Sequence, residues 1–507
     1  MPDADAASQN EAIAFLDREA RSGAAKRIDT HASILFLEPE RVLKIKRAVR
    51  LPFLDYSTLE KRKHACEEEL AVNRPHAPKL YRRVVPITRG EHGPEIGGNG
   101  PAIEWAVEMA RFDEEKTFDR LAKNGAITPE LAEAVADVVR ESHARAERSD
   151  GSAWLASIGP IIDRNSQKFR AQPSLARDAV EQLHAASHQR LAESRALLEQ
   201  RAADGLVRRC HGDAHLGNTV LIDERPVLFD AIEFDAVIAT TDILYDLAFP
   251  VMDLLHFGLH AEANRLLNRY LQENWRDSAH ALRLLPLYLS IRAAIRAHVL
   301  FTKCQQSPNP VVASEAGSYF DLARQLLKPV RPLLIAIGGK SGTGKSVLAR
   351  DMAAQVPPLP GAVILRSDVI RKELFGVDPL ATLPQTAYTP DVTARVYGAM
   401  LERSREVIAQ GFSVIADAAF LQEAERDELS AEARNMNADF RPVFLGADLA
   451  VRLERIRARR HDASDATGAV AAEQEGYGIG RIDWPIVDAS GSPEQTLQRS
   501  APFLLPR

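Results

Sequence analysis

The sequence predicts two domains of different class: an α+β domain over residues 1–327, then an α/β domain with a parallel sheet over residues 328–507. Three observations carry this. After residue 328, strand and helix patterns alternate (LLIAIGG, AVILRSD, FSVIADAA, RPVFLGAD, WPIVDAS), which implies a parallel sheet covered on both faces. Before it, the strand-like runs KLYRRVVPIT and AIEWAVEMARF flank the glycine-rich turn RGEHGPEIGGNGP, and an Ala/Leu/Glu/Arg-rich helical stretch follows from about 127 to 200. Between the two, QQSPNPVVASEAGSYF (305–320) is a polar, proline-bearing break, and KPVRP leads into the next strand.

A chain of 507 residues has room for two or three domains at roughly 100–200 residues each. Its 64 basic and 70 acidic residues leave a formal charge of −6, which gives no reason to expect a nucleic-acid or membrane partner. Cys66, Cys210 and Cys304 form no CxxC pair and read as free thiols. The start, MPDADAASQNEA, lacks the apolar core of a signal peptide, and no apolar run approaches the ~20 residues of a membrane span. A cytoplasmic protein is expected.

The last third holds the most specific motif. In RPLLIAIGGKSGTGKSVLAR (331–350) a strand runs into Gly339, Lys340, Ser341, Gly342, Thr343, Gly344, Lys345 and Ser346, and a helix follows. This is a phosphate-binding loop: its amides wrap phosphates, Lys345 reaches the outer ones, and the Ser346 hydroxyl can ligate Mg²⁺. A later strand ends in Asp417-Ala-Ala, with Asp417 a metal-ligand candidate and no adjacent glutamate to activate water. That favours a kinase over a motor ATPase. LRSDVIRKELFG places Asp368 and Arg371 past a strand end, where an acceptor would sit, although Asp368 could instead cap its helix. RLERIRARRHDASDA packs Arg455, Arg457, Arg459 and Arg460 into a run that reads as a lid over the transferred phosphate or as a solvated helix face; Arg457 and Arg460 are the substrate-contact candidates. From about 332 to 500 the chain resembles small P-loop kinases of the gluconate, nucleotide and polynucleotide-end type.

A second phosphate machine precedes it. In CHGDAHLGNTVLIDERPVLFDAIEFD (210–235), Asp213 is followed five residues on by Asn218, and a hairpin then delivers Asp230. Phosphoryl transfer to a hydroxyl needs one carboxylate to take the proton, and an Asn and a second carboxylate to hold the metal on ATP. Asp213 is therefore the base candidate and Asn218 and Asp230 the Mg²⁺ ligands, with Glu233 and Asp235 as rivals to Asp230.

HGDxHxxN in place of HRDxxxxN resembles the aminoglycoside phosphotransferase-like kinases, a small-molecule branch of the protein-kinase fold, over about residues 25–325. The resemblance implies a phosphate-binding lysine on an early strand. RVLKIKR supplies Lys44, with Lys46 on the same strand face as Val42. It also implies a helix glutamate, and among Glu67, Glu68 and Glu69 the reading takes Glu68. It implies a hinge strand for adenine at EWAVEMARF, a brace for the catalytic loop at Asp246, and a loop-orienting His215. One departure stands out: DTHASILF precedes the lysine strand where a glycine-rich loop is expected, leaving phosphate cover to backbone and Ser33. The order of domains, with FLDYSTLEKRKHACEEEL, resembles a bacterial fusion described as a bifunctional aminoglycoside phosphotransferase/ATP-binding protein.

An aminoglycoside is a polycation, yet residues 251–303 hold four acids against seven bases. LLPLYLSIRAAIRAHVLF is apolar nearly all round, so Arg292 and Arg296, one turn apart, are expected to be buried. They either pair with structural acids such as Asp242 or Asp246, or clamp an anionic substrate. The expected activity is thus a two-headed ATP- and Mg²⁺-dependent phosphotransferase acting on an anionic or neutral small molecule. A nucleic-acid acceptor is conceivable only for the C-terminal head. The alternative is an N-terminal ligand-binding pseudokinase or sensor that regulates the P-loop head.

Overall fold

The computed structural model describes residues 2–22, 26–51, 54–459 and 462–505. The chain forms two compact units, one of residues 1–161 with 195–253, the other of residues 162–194 with 254–507. The sequence division at 327/328 falls inside the second unit. We keep it as a proposal about where one sequence module gives way to the next; packing draws its line elsewhere.

The first unit is built on a six-stranded antiparallel sheet. Its order is Lys26–Asp29, Ser33–Leu37, Arg41–Lys46, Ala102–Ala110, Tyr81–Gly90, Gly93–Ile96. Alternation along Arg41–Lys46 decides its two faces. Leu43 and Ile45 pack with Ile34, Phe36, Val85 and Ile87 beneath Ala12 and Leu16 of the Pro2–Ser22 helix. Val42 faces the other way, with Val107, beneath Cys66 of the Leu59–Asn73 helix. Lys44 and Lys46 share the Val42 face, as the period of two requires. Buried ion pairing fixes the helices: Arg62 Nε lies 2.8 Å from Glu104, whose carboxylate also accepts Gln9 Nε2 at 2.6 Å. The expected catalytic hairpin is present as Thr219–Ile222 and Arg225–Leu228, turned by Asp223 and Glu224 at positive φ.

The second unit contains a five-stranded sheet, parallel throughout. Its order is Val363–Arg366, Val414–Asp417, Leu333–Gly339, Asp439–Gly446, Ile486–Asp488. Every residue of the central Leu333–Gly339 strand is buried, which is why LLIAIGG reads as an unbroken apolar run. The helical stretch Trp275–Gln306 is long and apolar enough to cross a membrane (mean hydropathy 1.4), but 67% of that window is buried within the protein.

The edge strand Val363–Arg366 does not end at solvent. The Val363 amide pairs inward with Ser413 O, so the Ile364 amide points outward, where it meets Asn268 Oδ1 at 2.8 Å. Ala362 O accepts both Asn264 Nδ2 (3.0 Å) and Asn268 Nδ2 (3.1 Å). The His260–Glu273 helix therefore closes the sheet edge with side-chain amides, one solution to the exposed-edge problem. Asn268→Leu should destabilise this unit by about 1–3 kcal/mol by orphaning the Ile364 amide. Unchanged urea unfolding of the variant would contradict that.

Candidate active sites

In the first unit, Lys44 Nζ sits 2.8 Å from Glu69 Oε1 and 2.7 Å from Asp230 Oδ1. The lysine's partner is thus Glu69 and not Glu68. Helical period explains the correction: Arg62, Ala65, Cys66, Glu69 and Asn73 form the buried face of Leu59–Asn73, while Glu68 lies about 100° round it and Glu67 is exposed near Lys63. The apolar pair Ala65-Cys66 marked that face in the sequence. Lys46 is also buried, with Nζ 2.6 Å from Glu69 Oε2 and a second ion pair to Glu233. Burial opposes the charge on Lys44, but Asp230 and Glu69 outweigh it and hold its pKa well above the usual lysine value. Lys44 stays protonated, as a phosphate-binding cation must.

Asp230 adopts φ +60°, a left-handed backbone rare for a non-glycine residue. Its neighbours enforce it: the Asp230 amide donates to Tyr81 Oη at 3.1 Å, and the Ala231 amide to Asn73 Oδ1 at 2.7 Å. The conformation aims the carboxylate at Lys44. Of its rivals, Glu233 is engaged by Lys46, and Asp235 caps a short helix through the Val237 and Ile238 amides.

The loop bearing Asp213 is braced at several points. The Gly212 amide donates to Asp246 Oδ1 at 2.9 Å, and Asp246 Oδ2 lies 3.2 Å from His143 Nε2. Gly212 has φ +81°, and a Cβ there would come within 3.1 Å of Ala239 Cα. His211 is buried, with Nε2 on Phe229 O at 3.0 Å, and His215 Nδ1 accepts the Gly217 amide at 3.0 Å. His215 shapes the loop, as expected. Asn218 Nδ2 donates to Asp213 O at 3.0 Å and to Asp213 Oδ2 at 3.1 Å, while Asn218 O accepts the Phe229 amide. Those bonds leave Asn218 Oδ1 as the atom that would face a cation. With the Asp230 carboxylate it makes an all-oxygen donor set, which suits Mg²⁺.

Ala106–Ala110 is paired on both sides, with Arg41–Ile45 and with the Tyr81–Gly90 strand, whereas Ala102–Trp105 is paired with the latter alone. Phe112, the last residue of the EWAVEMARF stretch, packs on Phe229 at 5.1 Å between ring centroids. The turn before Ser33 is a tight polar one: the Thr30 amide bonds Ser33 O, and the Ser33 amide bonds Thr30 Oγ1, each at 2.9 Å.

The second unit holds the phosphate-binding loop. Gly339, Gly342 and Gly344 all have positive φ, and a Cβ on Gly339 would lie 2.6 Å from Leu445 O. Only glycine fits that approach. Lys345 Nζ folds back onto Gly339 O (2.8 Å) and Lys340 O (3.2 Å), and burial lowers its pKa. The Lys340 side chain turns away to Glu475 at 3.0 Å, so this residue offers backbone, not charge. The Ser341 amide is held by Gln474 Oε1 at 2.8 Å.

Lys345, Ser346, Asp368, Arg371 and Asp417 line one cleft of about 1460 Å³. Asp417 is buried at the strand end, with Arg366 Nε 3.5 Å away; Arg366 also pairs with Asp462 at 3.0 Å. Asp368 lies in the first turn of Ser367–Leu374 and does not cap it; the cap position is Arg366. Burial raises the Asp368 pKa, and Asp417 adds to this, while Arg366 and Lys345 oppose. A half-buried, cleft-lining carboxyl of raised pKa beside the phosphate loop has the character of a general base. Ser346 and Asp417 offer a hydroxyl and a carboxylate oxygen, again a fit for Mg²⁺.

The arginine run sorts by helical period. Arg452, Arg455 and Arg459 follow one face of Leu449–Ala458 and its end; Arg455 and Arg459 line the cleft, and Arg452 is buried with Nε on Ser341 O at 2.8 Å. Arg457 is exposed and does not line the cleft, whereas Arg455 and Arg459 do. Arg460 lies outside the described residues. Arg371 lines the cleft, but its guanidinium donates to Ala387 O at 2.6 Å and stacks over Tyr388. Arg366, Arg452 and Asp462 lie inside the quoted stretches without being singled out there, and Gln474 lies in none of them; sequence reasoning missed all four.

Arg292 is buried, as expected, whereas Arg296 is only half-buried, with its guanidinium 5.7 Å from the Tyr319 ring centroid. Asp242 takes a bidentate bond from Arg201. Part of the base excess over 251–303 serves packing: Arg283 donates to Gln410 Oε1 and Ala409 O.

Both parts of the chain match known families. Residues 49–280 match the model of the phosphotransferase enzyme family, and residues 334–477 match that of an AAA domain. Proteins described as uncharacterized from Mycobacterium tuberculosis and Mycobacterium bovis are 26% identical over 485 residues, covering 92% of this chain and 93% of theirs. Among solved structures, a choline/ethanolamine kinase family protein from Mesorhizobium loti is 15% identical, covering 62% of this chain and 95% of its own (TM-score 0.39). A gluconokinase from Sinorhizobium meliloti is 21% identical over 33% of this chain and 89% of its own (TM-score 0.25). The first family match begins beyond Lys44, so the Lys44–Glu69 pairing is a finding of the structure. The chain thus carries a match to the phosphotransferase enzyme family at residues 49–280, which supports a phosphotransferase, followed by a match to an AAA domain at residues 334–477.

Proposed function

We propose that each part carries its own ATP- and Mg²⁺-dependent transfer site. The carrying observation is the constellation of Lys44, Glu69 and Asp230 with Asp213 and Asn218 in one unit. In the N-terminal head, Lys44 neutralises phosphate charge, Asn218 and Asp230 hold Mg²⁺, and Asp213 accepts the acceptor hydroxyl's proton. In the C-terminal head, the loop amides and Lys345 hold the phosphates, Ser346 and Asp417 hold Mg²⁺, and Asp368 takes the proton. Bound Mg²⁺ supplies charge neutralisation on the phosphates.

The acceptor of the N-terminal head is a small anionic or neutral molecule, a reading supported by the seven bases against four acids in residues 251–303. The polar turn at residues 30–33 favours a second reading, a ligand-binding head without turnover. A metabolite-library phosphorylation screen on the full chain decides between them, run beside Asp213→Ala and Lys345→Ala. Products lost only in Asp213→Ala belong to the first head. A screen in which no product depends on Asp213 supports the sensor reading, and phosphorylation of a kanamycin-like polycation overturns the charge assignment.

Asp368 gives a pH signature. As a base it must be ionised, and its pKa is raised, so transfer by the C-terminal head should fall as pH drops through a value above the ordinary aspartate pKa of about 3.9. A kcat/KM profile flat down to that ordinary value would remove Asp368 from the role.

A further inference from the structure

Two imidazoles and a carboxylate meet on a helical hairpin of the second unit, and none of them belongs to either phosphate site. His184 and His188 are four residues apart on Arg177–Glu193, hence one above the other on one face. Their rings meet edge-on, with centroids 4.6 Å apart. Asp163, on the preceding Ser152–Arg170 helix, places Oδ1 2.8 Å from His188 Nε2 and 3.9 Å from His184 Nδ1. One ligand atom from each residue falls within 4.8 Å of the others. We propose that Asp163, His184 and His188 form a binding site for a divalent transition-metal ion of the zinc class.

The donor set selects the ion. Two imidazole nitrogens and one carboxylate oxygen suit Zn²⁺, Co²⁺, Ni²⁺ or Cu²⁺, whereas Mg²⁺ prefers oxygen ligands and keeps its waters. Three protein ligands leave a fourth position for water, and the partial exposure of all three side chains gives an ion access. Ser166 Oγ donates to Ile162 O and lies 3.0 Å from His184 Nδ1, so it accepts from that nitrogen. Binding at Nδ1 exchanges this hydrogen bond for the ion, and the neutral ring then carries its proton on Nε2. The bound ion ties the two helices together across residues 171–176, so it should raise thermal stability. A solvated histidine–aspartate ion pair would show the same resting geometry but no metal response.

The test uses the full chain, stripped by chelator and kept in Mg²⁺. Zn²⁺ should bind in competition with a chromophoric chelator and raise the melting temperature. Co²⁺ should give visible d–d bands without a thiolate charge-transfer band. His188→Ala and His184→Ala should each weaken Zn²⁺ binding by about 10-fold or more and abolish the thermal shift, with the metal-free melting temperature unchanged. Asp163→Asn, at a half-exposed side chain, serves if a histidine variant fails to fold. Equal Zn²⁺ affinity in the wild type and these variants overturns the proposal. So does a thiolate band, which would place the ion at a cysteine such as Cys210, near His143 and Asp246.

Discussion

Asp213→Ala should lower turnover by the N-terminal head by about 10²–10⁴-fold while leaving Mg-ATP binding nearly intact. In the proposed roles the carboxylate acts on the acceptor's proton, while Lys44, Asn218 and Asp230 serve the nucleotide and its Mg²⁺. Asp230→Ala should do the reverse and weaken Mg-ATP binding, because it removes a metal ligand and the 2.7 Å partner of Lys44. Isothermal titration with a non-hydrolysable ATP analogue, beside product formation, separates the two. Turnover within a few-fold of wild type in Asp213→Ala would show that another group takes the proton.

Lys345→Ala should remove transfer by the C-terminal head, by about 10²–10³-fold, and leave the N-terminal head active. Lys345 is the cation at the start of the helix that follows the glycine loop, and its half-buried ammonium donates to two loop carbonyls. Removing it leaves the glycine backbone intact, so the loop should keep its shape and the unit its melting temperature. Each product can be assigned by assaying the variant against the screen's hits. Loss of both activities in a folded variant would sink the assignment of two separate heads.

The two chemistries were legible in the chain because each is written at short range. The phosphate loop needs positive φ at fixed spacing, and glycines at 339, 342 and 344 announce it. The Asp213-to-Asn218 interval and the hairpin that follows are likewise local, since one loop and one turn carry all three groups. The parallel sheet was legible because burial on both faces demands continuous apolar runs, of which LLIAIGG is the clearest.

What escaped the sequence depends on where faces and edges point. Choosing Glu69 over Glu68 required knowing which side of Leu59–Asn73 meets the sheet, and choosing Arg455 and Arg459 over Arg457 required the same for Leu449–Ala458. That both edges of Ala106–Ala110 are paired is a fact of strand order. Asn264 and Asn268 look like ordinary polar helix residues until the outward amide of Ile364 meets them. By itself the sequence determined the residue types and local turns that phosphoryl transfer requires. Tertiary structure decided which of several equivalent charges face the reacting phosphates, because those choices are set by contacts between segments far apart in the chain.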